Sequence, residues 1–178
     1  MPDNIFLIGP MGSGKTTLGR RVAAALDREF IDLDEELERR CGVEVAVIFE
    51  IEGEAGFRER EHALLAEVAA GRGRVVATGG GSVLREDNRA LLRGNGLVVW
   101  LDTSVAQQLK RLERDRRRPL LAAPDRHDRL TRMAEQRNPI YRGLADVVFE
   151  SRNLPPPRMA KALEETLKEH WAEDDVHD

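Results

Sequence analysis

Ile5-Phe6-Leu7-Ile8-Gly9-Pro10-Met11-Gly12-Ser13-Gly14-Lys15-Thr16-Thr17 is the stretch that decides the fold. Its four leading apolar residues stop at a glycine and read as a buried strand. Leu18, Val22 and Leu26 follow at helical spacing. Between strand and helix, Gly9–Thr17 matches G-x-x-x-x-G-K-[ST] in the context that pattern needs. Its glycines let the backbone wrap an anion with N–H groups pointing inward. The helix N-terminus adds a partial positive charge at the same place.

The same alternation continues outward. Phe30-Ile31-Asp32-Leu33-Asp34 reads as a second short strand ending in acids, followed by helical sequence from about Glu35 to Ala70, broken at Gly42 and Gly53. Val75-Val76-Ala77-Thr78 is a third strand, closed by Gly79-Gly80-Gly81. A short helix around Arg89 to Arg93 leads to a fourth strand, Leu97–Leu101, and Val105, Leu109 and Leu112 mark the next helix. The charge run Arg114–Arg118 and Ala122-Ala123-Pro124-Asp125 read as a mobile loop. A polar helix over about 126–142, a fifth strand at Asp146–Glu150 and a last amphipathic helix on Met159, Leu163 and Leu167 complete the pattern. The acidic tail, about 173–178, is expected to fray. Five strands with intervening helices predict one α/β domain over 1–178, with a parallel sheet and ligands at the carboxyl ends of its strands.

Composition excludes several classes. In 178 residues, 41% hydrophobic and 34% charged, there is apolar material for one core. A net charge of −4 argues against a general nucleic-acid binder. No apolar run approaches the roughly 18 residues of a membrane span, and Met1-Pro2-Asp3-Asn4 lacks the basic start of a signal peptide. The single cysteine, Cys41, reads as an ordinary helix residue and fits a reducing compartment. The expectation is a cytoplasmic protein with no membrane or nucleic-acid partner. Lys supplies only 4 of the 28 basic residues. That arginine excess reads either as compositional bias or as a supply of guanidinium forks for oxyanions.

The glycine loop implies a nucleotide phosphate site built from Gly12, Ser13, Gly14, Lys15, Thr16 and Thr17. Lys15 would reach the β- and γ-phosphates and the Thr16 hydroxyl would ligate Mg²⁺. Three features favour a small kinase. The chain has room for little beyond the core, and no apolar strand ending in Asp stands where a Walker-B carboxylate would. Asp102 ends the fourth strand but reads at least equally well as the N-cap of the helix from Ser104. The arginine-rich loop at 114–118 could close over the γ-phosphate and exclude water. Asp32 and Asp34, alternating at one strand end, would point to opposite faces. One would serve the Mg²⁺ water shell and the other accept a proton from an acceptor hydroxyl.

The combined motifs resemble the shikimate kinases. The phosphate loop, Asp32-Leu33-Asp34, Phe57-Arg58-x-x-Glu61, Thr78-Gly79-Gly80-Gly81, Arg118-Pro119-Leu120-Leu121 and Arg137-x-Pro-x-Tyr141 occur in that family's order, from Ile5 to about Leu167. The resemblance implies a three-layer P-loop kinase fold of the nucleoside-monophosphate-kinase type. It carries a five-stranded parallel sheet, a substrate-binding insert at about 33–61 and a mobile lid at about 112–124. It implies transfer of the ATP γ-phosphoryl group to the 3-hydroxyl of shikimate, a step towards chorismate and the aromatic amino acids.

Residue by residue, Arg58 and Arg137 match carboxylate-binding positions, and Gly79, Gly80 and Gly81 let backbone approach the substrate ring. Asp34 matches the hydroxyl-binding position and is the candidate base. Asp32 matches the position near Mg²⁺, and Glu61 is a candidate to orient Arg58. Arg118 matches a lid arginine on the transferring phosphate, and the following Pro119-Leu120-Leu121 picks it out from the consecutive Arg116 and Arg117. Arg111 and Arg152 are candidates to flank adenine, although Glu150-Ser151-Arg152-Asn153-Leu154-Pro155 departs from the family's common Thr-containing form. Phe49 and Phe57 either wall the pocket or pack in the core. The architecture needs no partner subunit, so a monomer is expected. The competing readings are a kinase of another small hydroxy acid such as gluconate, and a catalytically silent sensor of shikimate or nucleotide.

Overall fold

The computed structural model describes residues 4–113 and 124–174. Arg116, Arg117, Arg118 and most of the lid expected at about 112–124 lie outside the described residues, as do residues 175–178 of the tail.

The elements run β1 (Asn4–Ile8), α1 (Lys15–Ala25), β2 (Glu29–Asp32), α2 (Leu33–Cys41), α3 (Val45–Ala69), β3 (Arg74–Ala77), a 3-10 turn (Ser82–Leu84), α4 (Glu86–Asn95), β4 (Leu97–Asp102), α5 (Val105–Leu112), α6 (Arg126–Leu144), β5 (Val147–Glu150) and α7 (Pro156–Asp174). The sheet order is β2-β3-β1-β4-β5, and every pair is parallel. The strand that opened the reading is therefore the central one. Phe6 stands level with Val76 on one side and Val98 on the other.

All five residues of β1 are buried, as a parallel strand covered on both faces requires. The period of two divides them. Phe6 and Ile8 join Val76, Val98, Trp100, Phe57 and Leu65 in one core. Ile5 and Leu7 join Leu18, Val22, Val99, Leu163 and Leu167 in the other. Helices α3, α4 and α6 contribute to the first core, and α1 and α7 to the second, giving three layers.

The expected breaks at Gly42 and Gly53 are present. Gly42 caps α2 in the left-handed conformation (φ 71°), and Gly53, also at φ 71°, interrupts helical geometry inside α3. Phe57 is buried and stacks on Phe49 with ring centroids 4.4 Å apart, so these two rings belong to the core.

Two local expectations are corrected. The second strand stops at Asp32, and Asp34 lies in the first turn of α2. Asp32 Oδ1 accepts the Glu35 N–H at 3.0 Å, an N-cap that starts the helix. Asp34, Glu35 and Glu36 then lie where the helix dipole favours acids. The two aspartates thus differ as cap and first-turn residue, and not as alternating strand positions. Asp102 does not cap α5. Ser104 does, in a reciprocal capping box with Gln107.

Candidate active site

The carboxyl ends of the strands open onto one cleft of about 580 Å³. Met11–Leu18 line it after β1, Asp32 and Asp34 after β2, and Thr78, Gly79 and Gly80 after β3. Arg111 and Leu112 of α5 and Leu154, Pro156 and Met159 complete the wall. Among the sequence candidates, Gly12, Ser13, Gly14, Lys15, Thr16, Thr17, Asp32, Asp34, Gly79, Gly80 and Arg111 share this space.

The loop geometry fits phosphate. Gly12 (φ 76°) and Gly14 (φ 90°) occupy conformations that L side chains rarely adopt, and Leu112 closes on Gly12, where an added Cβ would sit 3.2 Å from its Cγ. Lys15 Nζ donates to the Gly9 carbonyl at 2.7 Å and to the Pro10 carbonyl at 2.9 Å, folding over its own loop. Arg111 Nη1 donates to the Gly12 carbonyl at 3.0 Å, and burial lowers its pKa from the usual arginine range. Arg152 is exposed and is not part of the cleft lining.

Thr16 Oγ1 donates to Asp32 Oδ2 at 2.5 Å, so one carboxylate both caps α2 and meets the loop threonine. A hydroxyl and a carboxylate side by side are the hard oxygen donors that Mg²⁺ takes alongside phosphate and water oxygens. Among the described residues no cluster of three or more His, Cys, Asp or Glu side chains could hold a metal alone. A magnesium ion at this site would therefore draw much of its coordination from the nucleotide and water.

The glycines after β3 form the hub of a second group. A Cβ built on Gly79 would lie 2.7 Å from Glu61 Oε2 and 3.4 Å from Asp34 Oδ1. One on Gly80 would lie 3.4 Å from Arg137 Nη1, and one on Gly81 only 2.3 Å from Arg58 Nη2. Backbone without side chains is what brings Asp34, Arg58 and Arg137 to one place. Arg58 Nη1 donates to Glu61 Oε1 at 2.9 Å, and Glu61 is 0% exposed, which fits its expected orienting part. Arg58 Nε and Arg137 Nε are both buried and make no hydrogen bond among the described residues. Buried charged donors left unmade are costly, and both guanidinium groups stand against the same glycine loop.

Tyr141 was quoted only as part of a motif, with no part assigned, and Gln108 and Ser82 were not singled out in the sequence. Tyr141 Oη donates to the Gly80 carbonyl at 2.6 Å, and Gln108 Nε2 donates to the Met11 carbonyl at 3.0 Å. Gln108 shares the helical face of Val105 and Leu112, and a polar residue on that apolar stripe was the available signal. Ser82 follows the glycines directly and bonds Glu61.

Arg58, Gly81 and Arg137 are outside the lining of this cleft and meet it through the glycine loop. A phosphate loop at the centre of a parallel sheet, sharing its cleft with Asp32, Asp34 and Arg111, defines a P-loop phosphotransferase for a small molecule. The family model for shikimate kinase matches residues 11–168. A shikimate kinase of Bordetella avium is 55% identical over 159 residues, covering 89% of this chain and 76% of its own. One from Pseudomonas paraeruginosa is 48% identical over 165 residues, covering 93% and 96%. The structure of the Acinetobacter baumannii shikimate kinase in complex with shikimate aligns with a TM-score of 0.90 at 41% identity, covering 95% of this chain and 94% of that one. A gluconokinase from Sinorhizobium meliloti aligns at a TM-score of 0.56 and 20% identity, a likeness of fold alone. The chain belongs to the shikimate kinase family. It is an enzyme, an ATP-dependent phosphotransferase with an alcohol group as acceptor.

Proposed function

We propose that this protein transfers the γ-phosphoryl group of ATP to the 3-hydroxyl of shikimate, giving shikimate 3-phosphate on the route to chorismate and the aromatic amino acids. The observation that carries the acceptor is the pair of buried, unbonded Nε atoms of Arg58 and Arg137 beside the glycine loop. A carboxylate takes guanidinium donors in pairs, and shikimate carries one carboxylate opposite its hydroxyls.

The roles follow from the chemistry of each group. The loop N–H groups and Lys15 hold the triphosphate, and Arg111, Leu154, Pro156 and Met159 offer a surface for the base. Arg58 and Arg137 hold the carboxylate, which turns a hydroxyl of the ring towards Asp34. Asp34 accepts the hydroxyl proton as that oxygen bonds to the γ-phosphorus and the bond to the β–γ bridging oxygen breaks, releasing ADP. Thr16 and Asp32 are the residues that would hold Mg²⁺, which when bound neutralises charge on the β- and γ-phosphates. The part proposed for Arg118, charge stabilisation on the transferring group, rests on the Arg118-Pro119-Leu120-Leu121 motif alone. No described helix is long and apolar enough to cross a membrane, and a cytoplasmic monomer is the accompanying proposal.

An assay coupling ADP release to NADH oxidation, run with Mg-ATP against shikimate, gluconate and nucleoside monophosphates, tests the reading. Turnover confined to shikimate is expected. Turnover with gluconate and none with shikimate would reject it, and shikimate binding without turnover would favour the sensor reading.

A further inference from the structure

Behind Arg58 stands a line of buried side chains that reaches the surface only at its far end, at the partly exposed His62. Glu61 uses one carboxylate oxygen, Oε1, to accept from Arg58 Nη1. Its other oxygen, Oε2, accepts from Ser82 Oγ at 2.9 Å. The Ser82 carbonyl accepts from Asn88 Nδ2 at 2.9 Å, and Asn88 Oδ1 lies 2.6 Å from His62 Nδ1. Since Nδ2 is the donor of that amide, its oxygen is the acceptor and His62 Nδ1 carries the proton. Glu61, Ser82 and Asn88 are each 0% exposed. The chain of bonds runs from α3 through the 3-10 turn to α4 and back to α3.

A fully buried carboxylate is tolerable only when both oxygens are engaged. The ion pair with Arg58 engages one. Without a partner on Oε2, the carboxyl group can rotate about its terminal torsion, which is broad and weakly held. The guanidinium it anchors would then lose a fixed orientation. Ser82 is also tied to the glycine loop, because its N–H donates to the Gly79 carbonyl at 3.1 Å. One residue therefore sets the distance between the loop and the acid that aims Arg58.

We propose that Ser82 and Asn88 are positioning residues for substrate binding: through Glu61 they hold the Arg58 guanidinium in the orientation that receives the substrate carboxylate. This rests on the reading of Arg58 as a carboxylate ligand.

The experiment compares Ser82→Ala, Asn88→Asp, Arg58→Ala and the double variant Arg58→Ala/Ser82→Ala, with melting temperatures measured alongside. Asn88→Asp keeps the shape and replaces the donor facing the Ser82 carbonyl by an oxygen, so it stands in if Ser82→Ala does not fold. Losing one hydrogen bond in the chain should raise KM for shikimate about threefold to tenfold, with kcat and KM for ATP within about twofold of the parent. In the Arg58→Ala background Ser82→Ala should raise KM no further, because its effect passes through Arg58. An equal rise in that background, or no rise from either single variant while Arg58→Ala is effective, overturns the proposal alone. Unchanged KM in Arg58→Ala overturns the carboxylate reading, and the proposal with it.

Discussion

Tyr141 Oη on α6 donates to the carbonyl of Gly80 at 2.6 Å, fastening the glycine loop to a helix 61 positions away in the chain. Burial pushes the phenol up to about 12 from its ordinary 10.0, against a smaller opposing pull from Arg137 and Arg58. Tyr141 is the chain's one tyrosine, so its ionisation can be followed alone. Ultraviolet titration of tyrosinate should give a midpoint near 12 in folded protein and near 10 after denaturation. The group's folded pKa is raised, so its stabilisation is complete below pH 10 and is lost as pH rises through 12. That loss should be absent in Tyr141→Phe. A midpoint near 10 in folded protein would mean the phenol is not buried beside the glycine loop.

Gly81 has ordinary backbone angles, φ −98° and ψ 2°, so alanine meets no backbone strain there. Its Cβ would fall 2.3 Å from Arg58 Nη2, the far end of a flexible side chain. Gly81→Ala should therefore displace the guanidinium while leaving the fold intact. KM for shikimate is expected to rise on the order of tenfold to a hundredfold, the loss of one charge-assisted contact. Because the displaced guanidinium also pairs with the buried Glu61, stability should fall by about 1–3 kcal/mol, short of unfolding. Steady-state kinetics and thermal melting check both halves.

Asp34 sits in the first turn of α2, within reach of the glycine loop. Asp34→Asn keeps its shape and removes its basicity. A fall in kcat of about a hundredfold to ten-thousandfold is expected for a lost general base, with a much smaller change in shikimate binding. Near-parental kcat would remove Asp34 as the base.

Lys15 holds two carbonyls of its own loop. In Lys15→Ala the charge that meets the phosphates is gone, and turnover should fall at least about a thousandfold. Circular dichroism should show an unchanged fold, because the loop's conformation is set by its glycines and by the strand and helix that flank it.

The sheet and its order of elements were legible because β1 is apolar throughout and the phosphate loop must follow a strand and open a helix. Gly42 and Gly53 were legible as breaks because glycine at positive φ is a local property. Asp32 and Asp34 were misread together. Phe30-Ile31 carries strand character up to the point where a capping aspartate begins a helix, and composition does not separate a strand-end acid from an N-cap. By composition Arg58 is one more charge in Arg58-Glu59-Arg60-Glu61; the Phe57-Arg58-x-x-Glu61 motif singled it out, and its burial against the glycine loop is the physical distinction. Ser82 and Asn88 belong to no motif and were not legible. The burial of Ser82 and Asn88 arises from tertiary packing of the 3-10 turn and α4, which no local pattern records, whereas Gln108 on the apolar stripe of α5 left a local sign. Arg152 was expected near the base but is exposed outside the cleft lining, where Leu154, Pro156 and Met159 stand instead.

The central claim is the reaction itself, and phosphorus NMR of a mixture of protein, shikimate, ATP and Mg²⁺ tests it most directly. The γ-phosphate signals of ATP should disappear as those of ADP and of one new phosphate monoester grow in equal amount, with the ester coupled to the proton on ring carbon 3. Inorganic phosphate in place of the ester, an ester on another hydroxyl, or an unchanged ATP spectrum would contradict the account.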